Sequence, residues 1–454
     1  MNIAYKNIAV LGLGKSGYSV YNYLLKTSIQ VCAWDDNTEI VTKYAKQGFN
    51  ILDYKLWNYE KLDAIVVSPG IALEFPKPHY VYEMSKKYNI PLICDVDIFL
   101  QQYKNIVKIG VSGTNGKSTT TALINHIFSL FKKNVVMGGN IGLPILDANI
   151  INTKYNTESY AVLELSSYQL DLINSYPLNC ALMINIEEDH LDHHGNFANY
   201  VKAKNKIFLN QTSKDVAIVN NDCFHLCKNS LNKQNLILIS NSKQNKSIYL
   251  QNDHLVDNYF ENNKVMYNLN NLKYLKGEHN YYNIMFCYAV CRFYKLNVEQ
   301  IFNYISSFRG MPHRQSFIKS YNNIDFINDS KATNVQSTYW ALKAFDNIAL
   351  ILGGIEKIDN LDMLIELIKN KVFKVFLIGK SQELFANILS KNNILYEKCN
   401  TLDNATNQAY NFLLSINNNH KKTLLLSPAC ASFDQFKNFE HRGDSFIEFV
   451  NLIK

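Results

Sequence analysis

The stretch GVSGTNGKST, residues 110–119, decides how this chain is read. It follows an apolar run at 106–111, long enough for a buried strand, and leads into helix-spaced apolar residues at 118–131. A strand, a glycine-rich loop and a helix in that order form a phosphate cradle. Backbone N–H groups ring the phosphate oxygens, a lysine reaches the β and γ phosphates, and a hydroxyl touches Mg²⁺. The spacing departs from the standard P-loop, which has a glycine five positions before the glycine of Gly-Lys-Ser. Val111 stands there, and the nearby glycines are Gly110 and Gly113. The segment Gly113-Thr114-Asn115-Gly116-Lys117-Ser118-Thr119 therefore reads as a triphosphate loop of another kind.

A second glycine loop lies upstream. A short apolar run at 8–11 enters Gly12-Leu13-Gly14-Lys15-Ser16-Gly17, a helix continues to 25, and a strand at 30–34 ends in Asp35-Asp36. Such glycines let the backbone approach a pyrophosphate, and carboxylates about 20 residues on can accept from a ribose. A nicotinamide or flavin dinucleotide and a UDP-sugar satisfy this pattern equally. A further strand at 64–67 closes on Ser68-Pro69-Gly70, and 95–103 reads as a connecting helix.

Beyond the triphosphate loop, 135–137 leads to Gly138-Gly139-Asn140, 161–164 ends on Glu164, and 180–185 stops just before Glu187-Glu188-Asp189-His190. Hard oxygen ligands and one imidazole at strand ends suit Mg²⁺ held partly by substrate phosphates. Lys204, with Lys202 and Lys206 beside it, reads on its own as a solvated helix lysine. The polar region 220–271 predicts peripheral strands and loops, and 280–294 a helix devoted mainly to core. From 311–312 strands and helices alternate again, with Asp329, Gly353-Gly354, Gly379 and Ser427-Pro428 at strand ends. The expectation is an α/β protein of three domains in series. They are a Rossmann-like domain at 1–95, a central P-loop-type ATPase domain with a parallel sheet at 96–310, and a Rossmann-like C-terminal domain at 311–454.

Bulk properties exclude other classes. The net charge of +7 over 454 residues comes without a dense Lys/Arg block, which disfavours nucleic-acid binding. Nine cysteines, an odd number, predict reduced thiols in a cytoplasm. Cys223 and Cys227 lack the second ligand pair of a zinc site. No apolar run of ~18 residues predicts membrane insertion, and MNIAYKNIAVLG has no secretory pattern.

The motifs taken together resemble the ATP-dependent Mur ligases. They are GTNGKST, GGNIGLP (138–144), LELSSYQLD (163–171), NIEEDHLDHHG (185–195), YVKAK (200–204), GEHNYYN (277–283), MPHR (311–314), NDSKATN (328–334), GGIEK (353–357) and SPACASFDQFKNFEHRGDSF (427–446). The resemblance spans essentially the whole chain in order, and it is to the D-glutamate-adding branch. It implies that the shifted glycines are this family's own loop. It also implies that the first domain holds UDP through Gly14, Lys15, Ser16, Asp35, Asp36, Asn37 and Gly70, with Asn140 and His190 at the sugar-peptide part. Residues 113–119 with Asn283, Arg314 and Asp329 would hold ATP, and Ser118, Glu164, His190 and Lys204 the Mg²⁺, Lys204 as an N-carboxylysine formed with CO₂. Lys117, Glu164, His190 and Lys204 would be catalytic, and Thr333, Lys357, Ser432, Phe433 and Phe439 would receive D-glutamate, with Lys331 as a neighbouring cation.

The implied reaction turns the L-alanine carboxylate of UDP-N-acetylmuramoyl-L-alanine into an acyl phosphate that the D-glutamate amine attacks, in a cytoplasmic monomer whose domains close on the substrates. The rivals are a nicotinamide-dependent dehydrogenase, a same-fold ligase for L-alanine or a diamino acid, and a non-catalytic nucleotide-binding scaffold. The dehydrogenase leaves the second loop unexplained.

Overall fold

The computed structural model describes residues 5–148, 158–174, 176–272, 274–275, 277–355, 361–417 and 420–453. It is mixed α/β with three sheets, divided between two compact units. The first unit comprises Met1–Leu269 with Tyr282–Ile305, and the second Asn270–Tyr281 with Ser306–Lys454.

The first unit contains two sheets. Strands β1 (Asn7–Leu11), β2 (Gln30–Trp34), β3 (Ala64–Val67) and β4 (Leu92–Ile93) form a parallel sheet in the order β2-β1-β3-β4. The second sheet runs β5 (Val107–Ser112), β6 (Asn134–Gly139), β7 (Ser159–Glu164), β8 (Cys180–Met183), β9 (Val216–Asn220), β10 (Asn235–Ser240), β11 (Ser247–Gln251), β12 (His254–Asp257) and β13 (Lys264–Asn268) along the chain. Its spatial order is β13-β12-β11-β10-β9-β8-β5-β7-β6, parallel from β6 to β11 and antiparallel through β12 and β13. The near-continuous apolar runs of the central strands fit a sheet covered on both faces. The polar 220–271 region does carry the peripheral strands β10–β13. Tyr281, Ile284–Ala289 and Cys291 are buried, as expected for a core helix.

The two sheets share one core. Val10 and Val66 of the first belong to the same hydrophobic cluster as Leu163, Ala181 and Val219 of the second. Period and turn signals report strands and helices but not which apolar faces meet, so alternation alone does not reveal this shared cluster.

The second unit holds β14 (Ser316–Tyr321), β15 (Ile324–Asn328), β16 (Ile348–Gly353), β17 (Val372–Ile378), β18 (Tyr396–Asn400) and β19 (Lys422–Leu426), ordered β14-β15-β19-β16-β17-β18. All neighbours are parallel except the β14–β15 hairpin, and apolar clusters cover the sheet. Strand β14 went unread because its half-buried SFIKSY pattern lacks a continuous apolar run. No helix among the described residues is long and apolar enough to cross a membrane.

Candidate active site

Strand β5 ends at Ser112, and the helix Lys117–Leu130 begins beyond the loop. Gly110 is fixed by packing: a Cβ there would collide with Leu178 Cδ1. Gly116, the helix N-cap, has φ +83°, and a Cβ on it would lie 2.7 Å from Asn283 Oδ1. Asn283 thus sits directly against the loop, and its Oδ1 accepts from Thr120 Oγ1 at 3.1 Å. The N–H groups of Thr114 and Asn115 both donate to Asn185 Oδ1 at 2.8 Å. Those two donors are therefore committed to shaping the loop. The first helical turn, from Lys117 to Thr119, keeps the N–H groups that have no carbonyl one turn behind them. Asn185 was missed as a site residue, although it opens the motif NIEEDHLDHHG.

Two lysines meet at the base of this loop. Lys117 Nζ donates to the carbonyls of Gly113 (2.9 Å) and Thr114 (2.8 Å), and Lys204 Nζ donates to the same Gly113 oxygen at 2.7 Å. Lys204 is 2% exposed, which corrects the reading of it as a solvated helix lysine. On the helix Phe197–Asn205, capped by Asn196, residues two apart point to different faces, so Lys202 is exposed while Lys204 points inward. Desolvation holds the Lys204 amine well below its ordinary pKa, and the Lys117 charge lowers it further. Tyr200, one turn earlier, places its ring 4.8 Å from Lys204 Nζ and its hydroxyl 3.0 Å from Thr114 Oγ1.

Glu164 ends β7 and is buried. Its Oε1 accepts from Asn140 Nδ2 at 3.2 Å, while Oε2 is buried without a hydrogen-bond partner. An orphaned carboxylate oxygen costs about 1–3 kcal/mol or more, so the position fits a cation. His190 has φ +53° and lies half-exposed, with Nε2 3.3 Å from Asp189 Oδ2 and its ring 4.9 Å from that of Tyr168. Ser118 is buried in the first helical turn. Carboxylate, hydroxyl and imidazole suit Mg²⁺. Among the described residues no three His, Cys, Asp or Glu side chains gather as a metal site, so a cation here would draw further ligands from phosphate oxygens.

The upstream loop is braced differently. Asp35 Oδ2 accepts from Leu13 N–H (2.6 Å) and Oδ1 from Asn37 N–H (2.8 Å). Asp36 pairs with His79 Nε2 at 3.4 Å, and Asn37 caps the helix Thr38–Lys46 through Glu39 N–H. Gly12 has φ +86°, and its carbonyl accepts from Ser68 Oγ at 2.9 Å. Ser16 is half-buried, and Gly14, Lys15 and Gly70 are exposed.

In the second unit Asp329 is buried, accepting from Ser427 Oγ (2.7 Å) and from Gln315 N–H (3.1 Å). Desolvation raises its pKa to about 7, against the lowering effect of those bonds and of Arg314. Ile355 and Ala431 exchange backbone hydrogen bonds at 2.9 and 3.1 Å, which sets the 353–355 loop beside buried Ser432. Lys331 Nζ lies 5.4 Å from the Phe439 ring centroid, and Thr333 is half-buried. Phe433 is 71% exposed, so it forms no part of a packed wall in this structure. Lys357 lies outside the described residues.

Residues 111–291 match the model of the Mur ligase middle domain, and residues 6–87 match that of the Mur ligase MurD-like N-terminal domain. The UDP-N-acetylmuramoylalanine–D-glutamate ligase of Rickettsia bellii is 38% identical, over 99% of this chain and 98% of that protein. The protein of the same name from Rickettsia prowazekii is 39% identical over 98% of each. Among solved structures, the UDP-N-acetylmuramate-alanine ligase MurC of Thermotoga maritima shares the fold, with a TM-score of 0.60 at 17% identity over 99% of this chain and all of that one. With its loops, its lysines and its strand-end carboxylate placed as described, this chain belongs to the Mur ligase family.

Proposed function

We propose that this chain is an ATP-dependent ligase that joins D-glutamate to the L-alanine carboxylate of UDP-N-acetylmuramoyl-L-alanine, in cytoplasmic peptidoglycan precursor synthesis. The observation that carries the reading is the meeting of Lys117 and buried Lys204 on the Gly113 carbonyl at a phosphate-type loop. The choice of D-glutamate is supported by 38% identity to a relative of that name over nearly the whole length.

A carboxylate is a poor acyl donor because oxide is a poor leaving group. Transfer of the ATP γ-phosphoryl group makes an acyl phosphate, the D-glutamate amine attacks it, and the tetrahedral intermediate collapses to amide and phosphate. The protein supplies placement and charge neutralisation. Residues 113–119, with Lys117 reaching the β and γ phosphates, cradle ATP beside Asn283, and Arg314 and Asp329 are the further ATP-binding residues that the family resemblance implies. Mg²⁺, when bound, neutralises triphosphate charge, and Ser118, Glu164, His190 and Lys204 would hold it.

Two ammonium groups on one carbonyl repel each other, and burial favours a neutral Lys204. The neutral amine adds to CO₂ and releases a proton, so that the side chain becomes an anionic oxygen ligand attracted to Lys117. Gly14, Lys15, Ser16, Asp35, Asp36, Asn37 and Gly70 hold UDP, while Asn140 and His190 meet the sugar-peptide part. Thr333, Lys357, Ser432, Phe433 and Phe439 receive D-glutamate. The division into domains 1–95, 96–310 and 311–454, and action as a monomer, complete the reading.

The test is phosphate release with UDP-N-acetylmuramoyl-L-alanine, ATP and each amino acid in turn. D-glutamate should support turnover. Activity with L-glutamate, L-alanine or a diamino acid instead would overturn the assignment.

A further inference from the structure

Ser16 does not stand alone in the upstream loop. Its hydroxyl donates to Asp95 Oδ2 at 2.5 Å, across 79 residues of sequence. Asp95 is 2% exposed and opens the helix Asp95–Gln102, which links the first sheet to the second. Its Oδ1 accepts from Val96 N–H at 2.9 Å, and the Gln169 side chain also bonds to it. Gln169 in turn closes the capping box of the helix Ser167–Leu172, just after Glu164. The linking helix is pinned to the same region twice more: Cys94 Sγ reaches the Gln169 carbonyl at 3.8 Å, and Asn174 N–H donates to Asp97 Oδ1 at 3.2 Å.

This arrangement poses a proton problem. A serine hydroxyl has one hydrogen. Spent on a carboxylate, it leaves only lone pairs for an anionic phosphate, which repels them. We infer that Asp95 is a positioning residue for the nucleotide end of the substrate: its carboxyl group takes up a proton as the diphosphate binds, donates to Ser16 Oγ, and so turns the Ser16 hydroxyl into a donor toward phosphate. The inference rests on the reading of the Ser16 loop as the UDP site. The proton comes from solvent, no covalent bond between heavy atoms changes, and the Val96 and Gln169 donors remain on the carboxyl.

The surroundings suit this. Burial raises the Asp95 carboxyl above the usual carboxylate range, although Ser16, Val96 N–H and Gln169 oppose the shift. Its direct partners are all uncharged. The titratable groups on neighbouring elements are mostly engaged elsewhere: Asp97 with Gln101 and Asn174, Asp147 with Ser19, and Asp171 with Lys206. Lys15 is exposed, Cys94 is a buried thiol whose pKa is raised, and the Tyr168 ring packs on His190 and His193.

The experiment is calorimetric titration of the full chain with UDP, in mildly alkaline buffers of different ionisation enthalpy. The wild type should take up to ~1 proton per UDP bound. Asp95→Asn already carries an amide donor, so it should bind UDP at least as tightly with no proton uptake. Asp95→Leu should bind roughly tenfold or more weakly. Ser16→Ala should lose the proton uptake while keeping the carboxyl, which covers the case in which Asp95→Leu fails to fold. UDP binding by the wild type without proton uptake, or equal affinity in a folded Asp95→Leu protein, overturns the positioning role while leaving the UDP site intact. Absence of UDP binding by the wild type overturns the site reading, and this inference with it.

Discussion

The two glycine loops of the first unit share a plan of strand, turn and helix, yet they are braced by different groups. Around Gly12–Gly17 the supports are acids: Asp35 accepts a loop N–H and Asp95 accepts the Ser16 hydroxyl. Around Gly113–Thr119 the supports are amines: Lys117 and Lys204 both donate to the Gly113 carbonyl. A loop backed by carboxylates can offer N–H groups but little positive charge, which is adequate for holding a diphosphate. A loop that carries the Lys117 ammonium can offset the charge that moves during phosphoryl transfer. On the proposed function, similar backbone signatures serve recognition in one place and chemistry in the other.

The sharpest way to break this contrast is Lys117→Ala. Turnover, read as phosphate release, should fall by roughly 10²–10³-fold with circular dichroism unchanged. Full retention would strip the second loop of its chemical role. Lys204→Ala should lose on the order of 10²-fold in the same assay and recover in part when formate or acetate is added, because a free carboxylate replaces the missing oxygen ligand. No loss, or loss without rescue by any short acid, would leave Lys204 as a structural amine. Glu164→Gln should cost roughly tenfold to 10²-fold and raise the Mg²⁺ concentration needed for half-maximal rate, since an amide oxygen is a weaker cation ligand.

Asp329 sharpens the comparison from the second unit, where a buried acid accepts from a serine hydroxyl and a backbone N–H. Its pKa is raised from 3.8 to about 7, so the folded state binds the extra proton. Its contribution to stability is present below about pH 4 and is lost as pH rises toward 7, with a slope of up to about 1.4 kcal/mol per pH unit. Thermal melts of Asp329→Asn across that window should show the slope removed; an unaltered slope would assign it to other groups. The smallest effect expected is for Asn37→Ala, which removes the cap of the helix Thr38–Lys46 and should cost about 1 kcal/mol in denaturant unfolding.

Much of this was legible in the chain. Strands ending at Leu11, Trp34, Val67, Glu164, Gly353 and Leu426 carry apolar runs that stop at Gly, Asp, Glu or Ser, so both fold class and strand-end residues could be read. Lys204 could not be read from its neighbours, because its burial depends on the loop it meets 91 residues away in sequence. Asn185 was hidden for the same reason: its side chain serves loop N–H groups 70 and 71 positions upstream. The exposure of Phe433 was equally out of reach, since an aromatic in a motif does not reveal what it packs against. The link from Ser16 to Asp95 crosses 79 residues of sequence, and no local pattern encodes it.

The continuous apolar interior beneath the first two sheets has a further consequence. Neither layer can be peeled from the other without opening that interior to water, so the two sheets should melt in one transition. A compound that stiffens the small sheet would then protect the large one from heat, even without touching it.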